Sequence, residues 1–373
     1  MTAPMQDLLA TDATDATDDR RREGTALCLS GGGYRAMVFH AGVLQRLNEL
    51  GYLKRLDFVS SVSGGSITAG VLALAWRDLE FDAEGRATDF EKRVVEPVRE
   101  MAARGIDVMS VLTGLLLPGR RISDRVQAAY REHLFGDATL QDLPHHPRFV
   151  FCATNLQTAS LFRFSRRYVA DYRLGVARDR DIPLATAVAA SSAFPPYLSP
   201  VTLRMPADAW DPQVPQKLAE GVRDPIVLTD GGVYDNLGLE PVIKRCSELL
   251  VSNGGGQVSH PGRIPTDWLR HLQRVLGVVD NQVRSLRKRM LVEGYRRGDY
   301  TGAYWGIRSA VSDFDLPDPL PFPETRAREL AAVPTRLAAL GDVTDDLLRW
   351  GYVICDTAMR RWVVDRAAVP QGQ

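Results

Sequence analysis

The chain of 373 residues is 45% hydrophobic, 25% charged and 8% aromatic, a balance that excludes a mainly disordered, collagen-like or coiled-coil protein. Its length suits one large α/β domain with insertions, or two domains. Basic and acidic side chains cancel at 46 each, so no overall field draws the protein to nucleic acid.

Residues 1–23 carry three consecutive Ala-Thr-Asp triplets at 10–18. Such a polar, low-complexity run cannot bury a core and is expected to be a flexible tail. It lacks the basic start and apolar stretch of a Sec signal, and no apolar segment follows Arg20-Arg21-Arg22 at signal distance. Ala26–Leu29 predicts a strand that runs into Ser30-Gly31-Gly32-Gly33. Ala36–Leu50 then places Val38, Phe39, Val43, Leu44, Leu47 and Leu50 on one helical face, and Gly51 ends it. Leu56–Val62 predicts a second strand, and Ser66–Trp76 a helix that opens after a Ser-Gly-Gly turn. Two successive strand, glycine turn and helix units argue for a mostly parallel central sheet with helices on both faces, a three-layer α/β arrangement.

Residues 78–147 read as a helical insertion. Within it, Ile106, Val108, Met109, Val111, Leu112 and Leu115–Leu117 form an apolar segment closed by Pro118-Gly119-Arg120-Arg121. It is either a core helix or a lid facing a membrane. No apolar run approaches the roughly 20 residues of a bilayer-spanning helix. Arg148–Thr154, Ser160–Phe164 and Pro225–Leu228 predict further strands, with Leu249–Asn253 as the last, before the loop Gly254-Gly255-Gly256. Residues 257–365 form a helical extension. There Trp268, Leu272, Val275, Val279, Val283, Leu286 and Met290 recur at helical spacing, with Arg284, Arg287, Lys288, Arg289, Arg296 and Arg297 as a basic run. That run is either a solvated face or a contact for anionic headgroups. Residues 310–325 read as a linker, Ala327–Ala339 and Asp345–Trp362 as closing helices, and 366–373 as a second tail. Cys28, Cys152, Cys246 and Cys355 are scattered through apolar stretches without metal-ligand spacing, so buried reduced thiols are expected rather than disulfides or zinc.

Three segments carry chemistry. In Ser61-Val62-Ser63-Gly64-Gly65-Ser66 a strand delivers Ser63 to a turn of small residues before a helix. This is the layout of a nucleophile elbow, with Ser61 where the first glycine of Gly-x-Ser-x-Gly stands. A plain Ser/Gly turn is the competing reading. In Ser30-Gly31-Gly32-Gly33-Tyr34-Arg35 bare backbone N–H groups can form a nest for an anion, and in an acyl-transfer enzyme that nest is an oxyanion hole. Gly31-x-Gly33-x-x-Ala36 also meets a dinucleotide fingerprint, but that fingerprint needs an acid at the end of the next strand, and Asp57 stands at its start. In Asp230-Gly231-Gly232 an apolar strand delivers an aspartate to a loop open to close approach; alone, Asp-Gly is usually a turn.

The order of these segments, with Ala187–Pro196 and the strand at Cys152–Leu156, resembles the patatin-like phospholipases over residues 26–240. Ser30 stands where that family commonly has Asp, and Ala36 where it has Gly. The resemblance implies a patatin-like fold with one catalytic domain over 24–365 and a Ser–Asp dyad without histidine. Ser63 would be the nucleophile and Asp230 the general base. Gly31, Gly32, Gly33 and Gly64 would form the oxyanion hole, with Arg35, Gly231 and Gly232 in support. Arg35 is expected to brace the glycine loop. His40, the nearest alternative base, is expected to be packed or capping. No cofactor or metal is implied. The substrate would be a lipid ester met through transient membrane contact, in a cytoplasmic protein or one exported without a leader. The alternatives are an acyltransferase or thioesterase, and a lipid- or nucleotide-binding module without turnover. The sequence sets no oligomeric state.

Overall fold

In the computed structural model, which describes residues 23–104, 106, 122–196, 198–211, 221–256, 262, 264 and 266–364, the chain alternates strands and helices through its first fifth. It begins β1 (Thr25–Leu29), α1 (Gly33–Glu49), β2 (Leu56–Val62) and α2 (Gly64–Ala75). The insertion supplies α3 (Glu96–Arg104) and α4 (Ile122–Tyr130). Next come β3 (Arg148–Asn155), β4 (Ser160–Phe164), β5 (Tyr168–Asp171), β6 (Gly175–Arg178), α5 (Leu184–Ser191), β7 (Val201–Leu203), β8 (Ile226–Asp230) and the single-turn α6 (Gly232–Asp235). The chain closes with β9 (Glu248–Asn253), α7 (Trp268–Arg297), β10 (Thr301–Gly306), α8 (Glu324–Ala332) and α9 (Thr344–Trp362).

The ten strands among the described residues join one sheet. Its spine runs β10-β9-β1-β2-β3-β4-β5-β6, with β8 attached to β3 and β7 to β8. The β10-β9-β1-β2-β3 part is parallel, and every pairing beyond β3 is antiparallel. The three-layer α/β reading holds, with parallel order confined to the half that carries the glycine turns. Leu249–Asn253 is not the last strand, because β10 lies beyond it on the sheet edge. Its sequence, Thr-Gly-Ala-Tyr-Trp-Gly, is short and interrupted by glycine, which hides a strand pattern. The predicted helix over 327–339 ends at Ala332, two residues before Pro334, as proline requires of the residues preceding it. The apolar segment at 107–121 and both predicted tails, apart from Glu23, lie outside the described residues.

Side-chain alternation along β1 shows how the layers form. Leu27 and Leu29 point into the main core with α1 and α9, while Ala26 and Cys28 point to the opposite face with Leu237, Leu249 and Leu291 of α7. All four cysteines are buried free thiols. Helix α1 is buried along almost its whole length because α9 covers the side turned away from the sheet. Two glycines permit that approach. A Cβ on Gly42 would stand 1.9 Å from the Leu348 carbonyl oxygen, and one on Gly351 2.0 Å from that of Phe39.

Neither backbone can yield without parting the helices. Gly42→Ala or Gly351→Ala should each lower unfolding free energy by about 1–3 kcal/mol, read from denaturant midpoints. Gly262→Ala, which meets nothing within 4 Å among the described residues, should leave the midpoint unchanged.

Candidate active site

Ser63 sits between the last residue of β2 and the first of α2 with φ 52° and ψ −121°. A side chain in that region costs of order 1–3 kcal/mol and persists only when its surroundings impose it. Here they do. The Ser63 N–H donates to Ser191 Oγ at 3.0 Å, and the Ser191 hydroxyl donates to the Cys152 carbonyl at 2.6 Å. The Ser66 hydroxyl bridges Ser191 and Ser61, at 2.8 and 3.0 Å. Ser61, which replaces the motif's first glycine, therefore uses its hydroxyl inside the turn. No side chain fits at the next two positions: a Cβ on Gly64 would lie 2.1 Å from the Gly33 carbonyl oxygen, and one on Gly65 2.4 Å from that of Leu29. The strand-to-helix turn is an elbow in its geometry as well as in its sequence.

The glycine loop lies against this elbow. A Cβ on Gly31 would stand 3.1 Å from the Ser63 Cβ. Gly32 and Gly33 adopt φ 150° and 61°, conformations natural only to glycine. The four-glycine expectation narrows at this point. The Gly31 N–H donates to the Asn236 carbonyl at 3.1 Å and is not available to a ligand. The N–H groups of Gly32, Gly33 and Gly64 have no acceptor among the described residues. The last two belong to first residues of helices, whose N–H groups have no partner within the helix and add the positive end of its dipole.

Arg35 takes the bracing position. Its guanidinium is buried and donates to the carbonyls of Ala331, Val333 and Gly254, at 2.8, 2.7 and 2.9 Å. Burial, with Arg308 and Arg284 nearby, pulls its pKa down to about 10. Ser30 ties in the same Gly254 loop: its hydroxyl accepts the Gly254 N–H at 2.9 Å and lies 3.3 Å from Asn253 Oδ1. His40 is fully buried, and desolvation lowers its pKa to about 4. In that neutral ring Nε2–H donates to the Ser30 carbonyl, and Nδ1 accepts from the Ser252 hydroxyl, each at 3.0 Å. With both nitrogens engaged in packing contacts, His40 is a structural side chain, as its position on α1 suggests.

Asp230 ends β8, paired with Ala153 of β3. The block after α5 holds it in place. Its N–H donates to the Ala193 carbonyl at 3.0 Å, and the Gly231 N–H donates to that of Ser191 at 3.2 Å. Ser191 thus fastens both the serine turn and the aspartate turn. Gly231 is forced by contact, because a Cβ would fall 2.2 Å from the Cys152 carbonyl oxygen. Asp230 Oδ1 accepts the Gly232 N–H at 2.7 Å. Oδ2 is buried with no hydrogen-bond partner among the described residues. Burial raises the pKa of this carboxyl to about 7; the Gly232 N–H and the neighbouring Ser63 hydroxyl pull it back, and Asp280 pushes it further up. The Ser63 side chain is therefore near enough to act on Asp230, yet no hydroxyl is aligned on Oδ2.

Ser63, Asp230, Arg35 and the glycines singled out in the sequence meet at one place in the fold. Joined to them are Ser191, Asn236, Ser66 and Ser30, whose hydrogen bonds depend on distant partners. Phe194, next to the Ala193 anchor, and Val233, three residues past Asp230, are exposed apolar side chains on this side. A cavity of about 820 Å³ lined by Leu316, Pro319, Leu320 and Phe322 shares no residue with the site. Among the described residues no group of three His, Cys, Asp or Glu side chains could hold a metal. The arrangement can activate a hydroxyl with a buried carboxylate and stabilise an oxyanion with backbone amides.

The family model described as Patatin-like phospholipase matches residues 27–243. The human GIVD cytosolic phospholipase A2 structure is similar at a TM-score of 0.52 and 15% identity, covering 92% of this chain and 60% of that one. The same human enzyme in complex with methyl γ-linolenyl fluorophosphonate and terbium chloride is similar at 0.51 and 16%, covering 96% and 62%. VipD from Legionella pneumophila follows at 0.33 and 16%, covering 88% and 67%. The chain thus spans about three fifths of the human structures it matches. No curated protein matches it in sequence.

The raised Asp230 pKa has a consequence for stability. The native carboxyl holds its proton up to about pH 7, whereas its ordinary value is 3.8. Its contribution is therefore fully present below 3.8 and is lost as pH rises through about 7. Asp230→Asn cannot ionise, so it should melt higher than the wild type at pH 8, with the difference shrinking toward pH 4. Thermal melts at both pH values check the sign; a lower melting point for the variant at pH 8 would show a carboxylate stabilised in its charged form.

Proposed function

The chain belongs to the patatin-like phospholipase family, and on that premise we propose that it is a serine acyl hydrolase. It would cleave fatty-acyl esters of glycerophospholipids or related lipids, with Ser63 as nucleophile and Asp230 as general base. One observation carries the reading: a strained serine beside a buried carboxylate whose Oδ2 lacks a partner among the described residues, with amide hydrogens on the adjoining turns unclaimed by those residues.

In the proposed cycle Ser63 Oγ attacks the ester carbonyl carbon while its proton passes to Asp230. The carbonyl oxygen becomes an oxyanion held by the N–H groups of Gly32, Gly33 and Gly64. Collapse breaks the bond to the alcohol, which leaves with the proton that Asp230 returns. Water then attacks the acyl-enzyme, Asp230 takes its proton, and the fatty acid departs as that proton returns to Ser63. An aspartate at its ordinary pKa is a weak base for a serine hydroxyl; desolvation narrows the gap. Gly232 fixes Oδ1 and leaves Oδ2 for the hydroxyl, a contact expected to tighten once substrate displaces water. Arg35 contributes by fixing the loop that presents two of the three amides.

A fluorophosphonate, the class of inhibitor bound by the human enzyme, should label the wild type and leave Ser63→Ala unlabelled. Ester hydrolysis should fall by roughly 10⁴-fold or more in Ser63→Ala and by a comparable factor in Asp230→Asn. Because Asp230 must be ionised to act, kcat/KM should climb tenfold per pH unit below about 7 and level off above it. Labelling at another residue, or a flat profile between pH 5 and 8, would overturn the assignment.

A further inference from the structure

Helix α7 presents its apolar stripe to solvent. Trp268, Leu272, Val275, Val279, Leu286 and Met290 follow one another at helical spacing, and all six are exposed, from 42% at Met290 to 77% at Trp268. With Leu276 and Val278 beside them, eight of the thirteen large apolar side chains exposed among the described residues lie on this one helix. The opposite face does the packing. Leu291 enters the core beneath β1, Arg287 pairs with Asp235 and Glu240, and Arg284 pairs with Asp280 and donates to the Gly256 carbonyl. An apolar surface of this extent on a folded protein marks a contact with something else.

The basic run therefore divides. Arg284 and Arg287 are turned inward to carboxylates and cannot be the headgroup contacts that the sequence suggested as one option, and Lys288 lies over the Tyr304 ring. Arg270, Arg296 and Arg297 pair with Asp267, Glu293 and Asp299 at exposed positions, yet residues 267–299 still carry eight Arg or Lys side chains against those three acids and Asp280, a net +4 in a chain whose charges cancel. Arg289 stands three residues after Leu286, at the border of the stripe. Two such helices face to face would bring like charge together, whereas an anionic surface complements it. The placement also fits. The inner face of α7 is fastened to α6, the turn that follows Asp230, and Asp280 is close enough to act on the Asp230 carboxyl.

We infer that the outward stripe of α7 is the surface by which the protein docks on an anionic lipid bilayer, lying in the interface with Trp268 at one end and Met290 toward the other. The inference rests on the lipid-ester reading only in explaining why docking is useful; the binding can be measured without turnover. An amphipathic helix in the interface buries its apolar face at the level of the headgroups and acyl chains, and basic flanks strengthen it on anionic lipid.

The test uses the full chain and vesicles of phosphatidylcholine with phosphatidylglycerol, or of phosphatidylcholine alone. The wild type should co-sediment with the mixed vesicles, more weakly at high salt and on the neutral lipid. The emission lost in Trp268→Phe should shift to the blue when mixed vesicles are added to the wild type. The double substitution Leu272→Glu with Val279→Glu should weaken vesicle binding about tenfold or more, while hydrolysis of a monomeric short-chain ester and the melting temperature stay at wild-type values. Ser63→Ala should bind vesicles as the wild type does. If no ester is cleaved but the double variant still loses binding, the hydrolase assignment fails and the docking surface stands. The docking surface fails if the Trp268 emission does not respond to lipid, or if the double variant binds vesicles undiminished. It fails equally if lipid-free wild type is a dimer that the double variant splits, which would assign the stripe to a second copy of the chain.

Discussion

Everything at the site depends on a serine backbone held where serine does not rest on its own. The positive φ of Ser63 raises its side chain out of the strand-to-helix turn, and the strain can be kept only by partners more rigid than the turn. Ser191 is the chief of these. It ties the Ser63 amide to the Cys152 carbonyl, and its own carbonyl takes the amide after Asp230. One residue thereby couples the positions of hydroxyl and carboxylate. The arrangement is economical because β2, β3 and β8 are neighbours in one sheet, so register fixes most of the distance before any side chain acts.

Much of this was legible in the sequence. Glycine turns after two apolar strands point to the parallel half of the sheet, and the serine, glycine and aspartate segments lie where the fold brings them together. The features a sequence conceals follow a pattern. The antiparallel strands β5, β6 and β7 have four, four and three residues, too few for a clear alternation. The supporting roles of Ser191, Asn236 and Ser30 depend on hydrogen bonds to residues distant in the chain, and nothing local in a serine or asparagine predicts such a partner. Gly31 shows the reverse case: the triplet marks a nest, but sequence cannot say which of three amides a neighbour has already taken. The heptad-like spacing in α7 correctly gives a helix yet is silent on which way its apolar side turns.

The two charges buried near the site are handled in opposite ways. The Asp230 carboxyl is desolvated and left incompletely bonded, which raises its affinity for a proton and makes it responsive. The Arg35 guanidinium is equally removed from water, but both its terminal nitrogens donate to backbone carbonyls, partners that carry no titratable proton, and only its Nε has no partner among the described residues. The carboxyl keeps one oxygen open, whereas the guanidinium commits both its terminal nitrogens to the scaffold.

Those backbone contacts have a temporal side. The oxygens that receive Arg35 include those of Ala331 and Val333, almost three hundred positions downstream, and the amide of Tyr34 likewise ends on Arg336. A nascent polypeptide has exposed its glycine loop, its serine and its aspartate long before these acceptors leave the ribosome. Until they do, Arg35 has no interior place to rest and the loop it anchors has no fixed shape. The set shape of the glycine loop thus arrives with residues 331–336 rather than with the loop itself.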